Sequence, residues 1–178
     1  MESIIDKEFW IGKSPEDLPT PALVADVEAI QTNITLLSDY FNTRDCQLRP
    51  HFKSHKCVTL AKLQLTGKNT SGITCAKISE AEQLVDGGIQ DILIANQVIG
   101  KDKVERLARL NHKALVRVAV DSTEGVEQLS RAAQQAGVKI GVLVEIDIGM
   151  NRGGVKPGLP VLNLAESTDR SPGLVFEG

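Results

Sequence analysis

The feature that most constrains the fold is a spacing. Apolar, β-branched stretches able to form strands begin near residues 22, 46, 72, 91, 115, 139 and 173, and most are separated by segments with apolar residues at helical intervals. A repeat of about 20 to 25 residues is the length of one βα unit, because parallel strands are joined only by a long crossover, usually a helix. The expected strands cover 22–27, 46–53, 72–77, 91–96, 115–121, 139–149 and 173–178. The expected helices cover 28–41, 55–65, 79–88, 101–110, 123–136 and 157–167. Asp26 is the expected cap of the first helix, Ser79 with Glu82 a capping box, and Gly67 and Gly137 helix stops. Residues 1–21, which carry Pro15, Pro19 and Pro21, read as an N-terminal arm, and 22–178 as the α/β domain.

A parallel sheet can be an open, doubly wound layer or a barrel, and the strand faces choose between them. In the fifth stretch Val116, Val118 and Val120 share one side while Arg117 and Asp121 share the other. In the sixth, Val142, Val144, Ile146 and Ile148 oppose Glu145 and Asp147. An open sheet covered by helices on both faces is apolar on both, whereas a barrel has helices only outside. The expected fold is therefore a parallel (β/α)8, TIM-type barrel. Arg49, His51, Lys53, Arg117, Asp121, Glu145 and Asp147 form one interior constellation in this reading, with the acids offsetting the bases. A purely structural ion-pair network would use the same residues.

Composition narrows the function classes. The net charge of −3 and the 3% aromatic content provide no basic, aromatic-interleaved surface for nucleic acid. Three cysteines without CxxC spacing suggest neither a disulfide framework nor a zinc site. No apolar run approaches the roughly 18 residues of a membrane span, and the first ten residues carry acids where a signal peptide would be basic. The expectation is a soluble, cytoplasmic protein acting on a small molecule.

The chemistry concentrates in two segments. In LRPHFKSHK, period-two alternation turns Leu48, Pro50 and Phe52 one way and Arg49, His51 and Lys53 the other. Lys53, at the expected C-terminal end of its strand, stands among Arg49, His51 and His55. Neighbouring cations and partial desolvation make a lysine the usual nucleophile toward a carbonyl. An edge strand with its basic face in water would show the same letters. In IDIGMNRGGV, Gly149, Gly153 and Gly154 surround Arg152, so the backbone can approach a ligand while a permanent cation points at it. An ordinary glycine-rich loop with a surface arginine is the alternative.

Those two segments, with TPALVAD and TCAKISEAEQLVDGGIQDILIANQVIG, resemble the D-threonine aldolase / D-serine dehydratase group of fold-type III pyridoxal-phosphate enzymes, which share the alanine racemase N-terminal barrel. The likeness runs from about Pro19 to Gly178. It implies that Lys53 carries pyridoxal 5'-phosphate as a Schiff base and that Arg152 bonds the cofactor's ring hydroxyl oxygen. His51 belongs to the same motif without an assigned step. The resemblance further implies a lyase acting on D-3-hydroxy amino acids such as D-threonine or D-serine, with a divalent metal, as a homodimer when full length. Nothing in these residues separates aldolase from dehydratase. A non-catalytic pyridoxal-phosphate binding protein and an amino-acid racemase are the alternatives. Family members are about twice as long and add a C-terminal β domain. The chain therefore reads as an N-terminal fragment of the barrel, inactive alone, with the metal ligands expected beyond Gly178.

Overall fold

The computed structural model describes residues 10–178. Five parallel strands, β1 (Ile73–Cys75), β2 (Asp91–Gln97), β3 (Leu115–Val120), β4 (Ile140–Val144) and β5 (Leu174–Phe176), lie side by side in chain order. A doubly wound sheet reverses its order at a switch point. Here each strand is followed by its neighbour, which is the topology of a barrel wall. The helices are α1 (Val27–Asn42), α2 (Val58–Gln64), α3 (Ile78–Asp86), α4 (Lys101–Leu110), α5 (Thr123–Ala136) and α6 (Leu159–Arg170).

The core lies between the outer strand face and helices α2 to α6. Ile73, Ile92, Ile94, Val116, Val118, Ile140 and Val142 are fully buried, and Leu84, Leu107 and Leu129 meet them from α3, α4 and α5. Fully burying one such side chain contributes about 1.5 to 3 kcal/mol, so this layer dominates the stability of the arc.

Where local signals were strong, the elements fall at the expected residues. α4 and α5 match to the residue, with the Ser122 hydroxyl accepting from Gly125 N–H and Gly137 ending α5 at φ 67°. Asp26 caps α1 by accepting from Ala29 N–H at 2.9 Å.

Four expectations need correction. Residues 22–26 are extended but pair with no strand among the described residues, and Leu23 and Val24 are exposed. The stretch 46–53 is not a continuous strand. It makes isolated parallel bridges, Leu48 with Thr70 and His51 with Thr74, because Pro50 between them has no N–H to donate and contributes only its carbonyl, to Thr74 N–H. The sixth strand stops at Val144. Beyond Glu145 the backbone turns to pair with Val155, so Ile146 and Ile148 leave the core and stand exposed. Finally, α3 begins before Ser79 and no capping box forms. Glu82 instead grips Arg106 of α4 at 2.7 and 2.6 Å, which holds its carboxyl below the usual range.

The inner face carries a chain of charge. Arg49 Nη1 and Arg117 Nη1 both donate to Asp91 Oδ1 at 2.6 Å, and Arg117 Nε also pairs with Glu177. Burial opposes the Arg117 charge, yet its bonds to Glu177 and Asp91 outweigh that and raise its pKa. Two glycines make the room. A Cβ on Gly72 would stand 2.7 Å from Asp91 Cγ, and one on Gly141 would stand 2.9 Å from Arg117 Cγ. Arg49 thus reaches β2 past Gly72, and Arg117 reaches Glu177 past Gly141 of the intervening β4.

Candidate active site

The turn that presents Lys53 is built from its neighbours. After the His51 bridge the chain enters a 3-10 turn, Phe52–Ser54, whose first residue is driven outward into the core and is fully buried. His51 caps this turn: its Nδ1 accepts from Lys53 N–H at 3.1 Å. A neutral ring so bonded carries its proton on Nε2. Burial, then the charge of Lys53, lowers the His51 pKa, while Glu80 pulls it up. His55 repeats the motif, accepting from Cys57 N–H on Nδ1 and bonding Gln64 Oε1 through Nε2, each at 3.1 Å. Lys56 closes the turn at φ 50°, a left-handed conformation that few side chains adopt. Alternation carried through: Pro50 and Phe52 face the core, and His51 and Lys53 face the open interior.

The glycine turn after β4 is pinned at several points. Asp147 Oδ1 accepts from Gly149 N–H at 2.9 Å and Asn151 N–H at 3.0 Å, which holds its carboxyl below the usual aspartate range. Gly154 N–H donates to Asp121 Oδ2 at 3.1 Å, and Val155 N–H donates to Glu145 O at 2.9 Å. Gly154 has φ 94°, and a Cβ there would meet backbone atoms of Asp147 and Ile146 at 2.6 and 2.7 Å. Arg152 is carried on this braced loop.

The two segments meet. His51, Lys53, Asn96, Gln97, Glu145, Asp147 and Arg152 line one cleft of about 420 Å³ at the C-terminal ends of the strands. That is where parallel barrels keep reactive groups, and the volume lies within the range of small-molecule sites. A second cavity of about 480 Å³, between α1 and residues 48–64, is mostly apolar and brings no such convergence.

The interior constellation expected from sequence therefore divides. Arg49 and Arg117 belong to the floor, where Asp91 and Glu177, not Glu145 and Asp147, neutralise them. His51, Lys53, Glu145, Asp147 and Arg152 belong to the mouth, with Asp121 bracing it. Lys53 is exposed rather than desolvated, and it makes no ion pair among the described residues. Sequence reasoning missed Asp91 and Glu177, and it missed Gln97, whose amide donates to Glu145. Burial pushes the Cys75 thiol up to about 12, with Glu80 adding to the shift, so this cysteine is inert at neutral pH. Among the described residues no three His, Cys, Asp or Glu side chains group as a metal site, and no helix is long and apolar enough to cross a membrane.

Comparison with known proteins agrees with this fold. Residues 25–178 match the family model described as alanine racemase, N-terminal domain. The chain is 39% identical over 168 residues to 3-hydroxy-D-aspartate aldolase of Paracoccus denitrificans, covering 94% of this chain and 43% of that protein. It is 31% identical over 138 residues to D-threo-3-hydroxyaspartate dehydratase of Delftia sp., covering 78% and 36%. The crystal structure of D-threonine aldolase from Filomicrobium marinum superposes with a TM-score of 0.89 at 43% identity, covering 91% of this chain and 44% of that one. The chain thus spans less than half the length of the relatives it matches.

Proposed function

Since the chain belongs to the family defined by the alanine racemase N-terminal domain, we propose that its cleft holds pyridoxal 5'-phosphate and serves a lyase acting on D-3-hydroxy amino acids. The observation that carries the reading is the convergence of Lys53 and Arg152, distant in sequence, on one cleft. The donor set suits the group. Lys53 is an amine without an ion pair among the described residues, available to a carbonyl, while the Arg152 guanidinium and the Gln97 amide offer donors to the ring's hydroxyl oxygen.

Bound there, pyridoxal phosphate supplies an electron sink for cleavage at the substrate's α carbon. The chain's residues do the rest. Lys53 would tether the cofactor, and Arg152 would donate to its ring hydroxyl oxygen. His51, neutral with its proton on Nε2, keeps the Lys53 backbone in place through Nδ1 and adds no positive charge beside the amine. Among the described residues no group of side chains would hold the divalent cation that the family resemblance implies. The names of the relatives extend the substrate class from D-threonine and D-serine to 3-hydroxy-D-aspartate.

The test is to add pyridoxal phosphate, reduce with borohydride and map the peptide. A pyridoxyl group on Lys53 is expected, and a group on Lys56 or Lys77 instead overturns the assignment. Product release from these D-amino acids with added divalent cation supports the lyase. Labelled Lys53 without turnover fits a pyridoxal-phosphate binding protein and equally a part of the lyase that is inactive alone.

A further inference from the structure

Outside the cleft's lining, Glu80 is the carboxylate that the reading leaves unused. It lies in the first turn of α3, and only 5% of its surface is exposed. Few carboxylates are buried so deeply without a task, because an ionised group out of water must be compensated. One oxygen is: Oε2 accepts from Ala76 N–H at 2.8 Å, which ties the side chain to the connection leaving β1. The other, Oε1, is fully buried and accepts no hydrogen bond among the described residues. Its partner is Lys56 Nζ at 3.6 Å, close enough for charge attraction but too far for a hydrogen bond. Lys56 is also the residue held at φ 50° at the end of the turn that carries Lys53, and its N–H bonds Phe52 O at 2.9 Å. The buried carboxylate therefore grips the Lys53 turn from one side and the β1–α3 connection from the other.

We propose that Glu80 is a positioning residue for Lys53, acting through Lys56 to hold the Lys53 turn against the barrel wall and to sequester the neighbouring amine. The inference rests on the assignment of Lys53 as the cofactor lysine. It explains a discrimination that the sequence leaves open. LRPHFKSHK offers two lysines three residues apart, and the ion pair engages Lys56 while Lys53 has no such partner among the described residues. It also gives the left-handed backbone at Lys56 an anchor, since strained conformations persist only where surrounding contacts over-determine them.

The test uses Glu80→Gln, which keeps an acceptor for Ala76 N–H and nearly the same volume but removes the charge. Protein is equilibrated with pyridoxal phosphate at limiting concentration, reduced and mapped, with the exposed Lys77 as internal reference. The Lys53-to-Lys77 label ratio should fall roughly fivefold, the scale of a partly exposed ion pair, and label should appear on Lys56. Circular dichroism and the thermal midpoint report whether the fold is kept. Lys56→Met, at an exposed side chain, gives the same readout if Glu80→Gln does not fold. Where both fold, the double variant should match either single one, because the two residues act as a unit. An unchanged ratio in the variants, with Lys53 still labelled, overturns the positioning role and leaves the cofactor reading intact. Absence of label from Lys53 in the unaltered protein overturns the cofactor reading, and the positioning role with it.

Discussion

Gly154→Ala is the most searching single substitution, because the structure separates its two costs. Gly154 sits at φ 94°, where a side chain brings strain of about 1 to 3 kcal/mol. The new Cβ would also stand 2.6 Å from Asp147 N, 2.7 Å from Ile146 C and 3.1 Å from Glu145 O, all backbone atoms that cannot rotate away. Ordinary carbon contacts lie near 3.5 to 4 Å, so the loop must shift by about an ångström. That shift gives up the bonds from Gly154 N–H to Asp121 and from Val155 N–H to Glu145, each contributing about 1 kcal/mol. Releasing the loop therefore adds about 2 kcal/mol to the backbone cost. Gly149→Ala is the control: φ is 118°, yet nothing lies within 4 Å, so it carries the backbone cost alone, again about 1 to 3 kcal/mol. Urea unfolding midpoints at a common m-value measure both. Since Arg152 rides on this loop, Gly154→Ala should also weaken pyridoxal-phosphate binding by about tenfold, equivalent to about 1.4 kcal/mol. A Gly149→Ala loss equal to or larger than that of Gly154→Ala would refute the idea that close backbone packing braces the loop.

Three further outcomes are expected. Phe52→Ala, at a side chain with no exposure, should cost about 3 to 5 kcal/mol in urea unfolding and lower Lys53 labelling, because this ring anchors the turn; a loss under 1 kcal/mol would contradict the anchoring. Asp91→Ala leaves Arg49 and Arg117 without their shared acceptor and should cost about 2 kcal/mol, less than a fully buried pair, with the difference from the unaltered protein narrowing in added salt. His51, followed by NMR, should titrate below the ordinary imidazole range. Its folded pKa is depressed, so its contribution to stability is complete above the unfolded value and is lost as pH falls through the folded one. Lys53→Met should raise that pKa by removing a neighbouring cation, and an unchanged titration would show that the two groups do not face each other.

How much of this was legible in the sequence depended on how local the cause was. α4 and α5 fell at the expected residues because periodicity, Ser122 and Gly137 all act within one turn. The βα spacing fixed the topology for the same reason. The segment 46–53 misled because apolar alternation survives where the ladder does not, and the missing Pro50 N–H weighs more than the pattern. Ile146 and Ile148 continue the strand's alternation in letters, yet the backbone turns at Glu145 to meet Val155, a partner that only the glycine turn brings back. Lys53, His51 and Arg152 line one cleft because each sits at or just after the end of an expected strand. Asp91 and Glu177 were not, because their meaning depends on which strands face one another across the interior. Glu80 was hidden by a capping motif two positions out of register, and no local signal separated it from Glu82.

The floor network has a geometric consequence. Arg49 to Asp91 passes a strand, and Arg117 to Glu177 passes another, each over a glycine. On a flat sheet, strands two apart stand about 9 to 10 Å from each other, and their side chains run parallel rather than converging. These ion pairs therefore act as chords of an arc, and the length of a chord sets the radius of the curve it spans. The same radius, carried up the strands, fixes how far the Lys53 turn stands from the Arg152 loop. Charge at the bottom of the wall thus gauges the width of the mouth at the top.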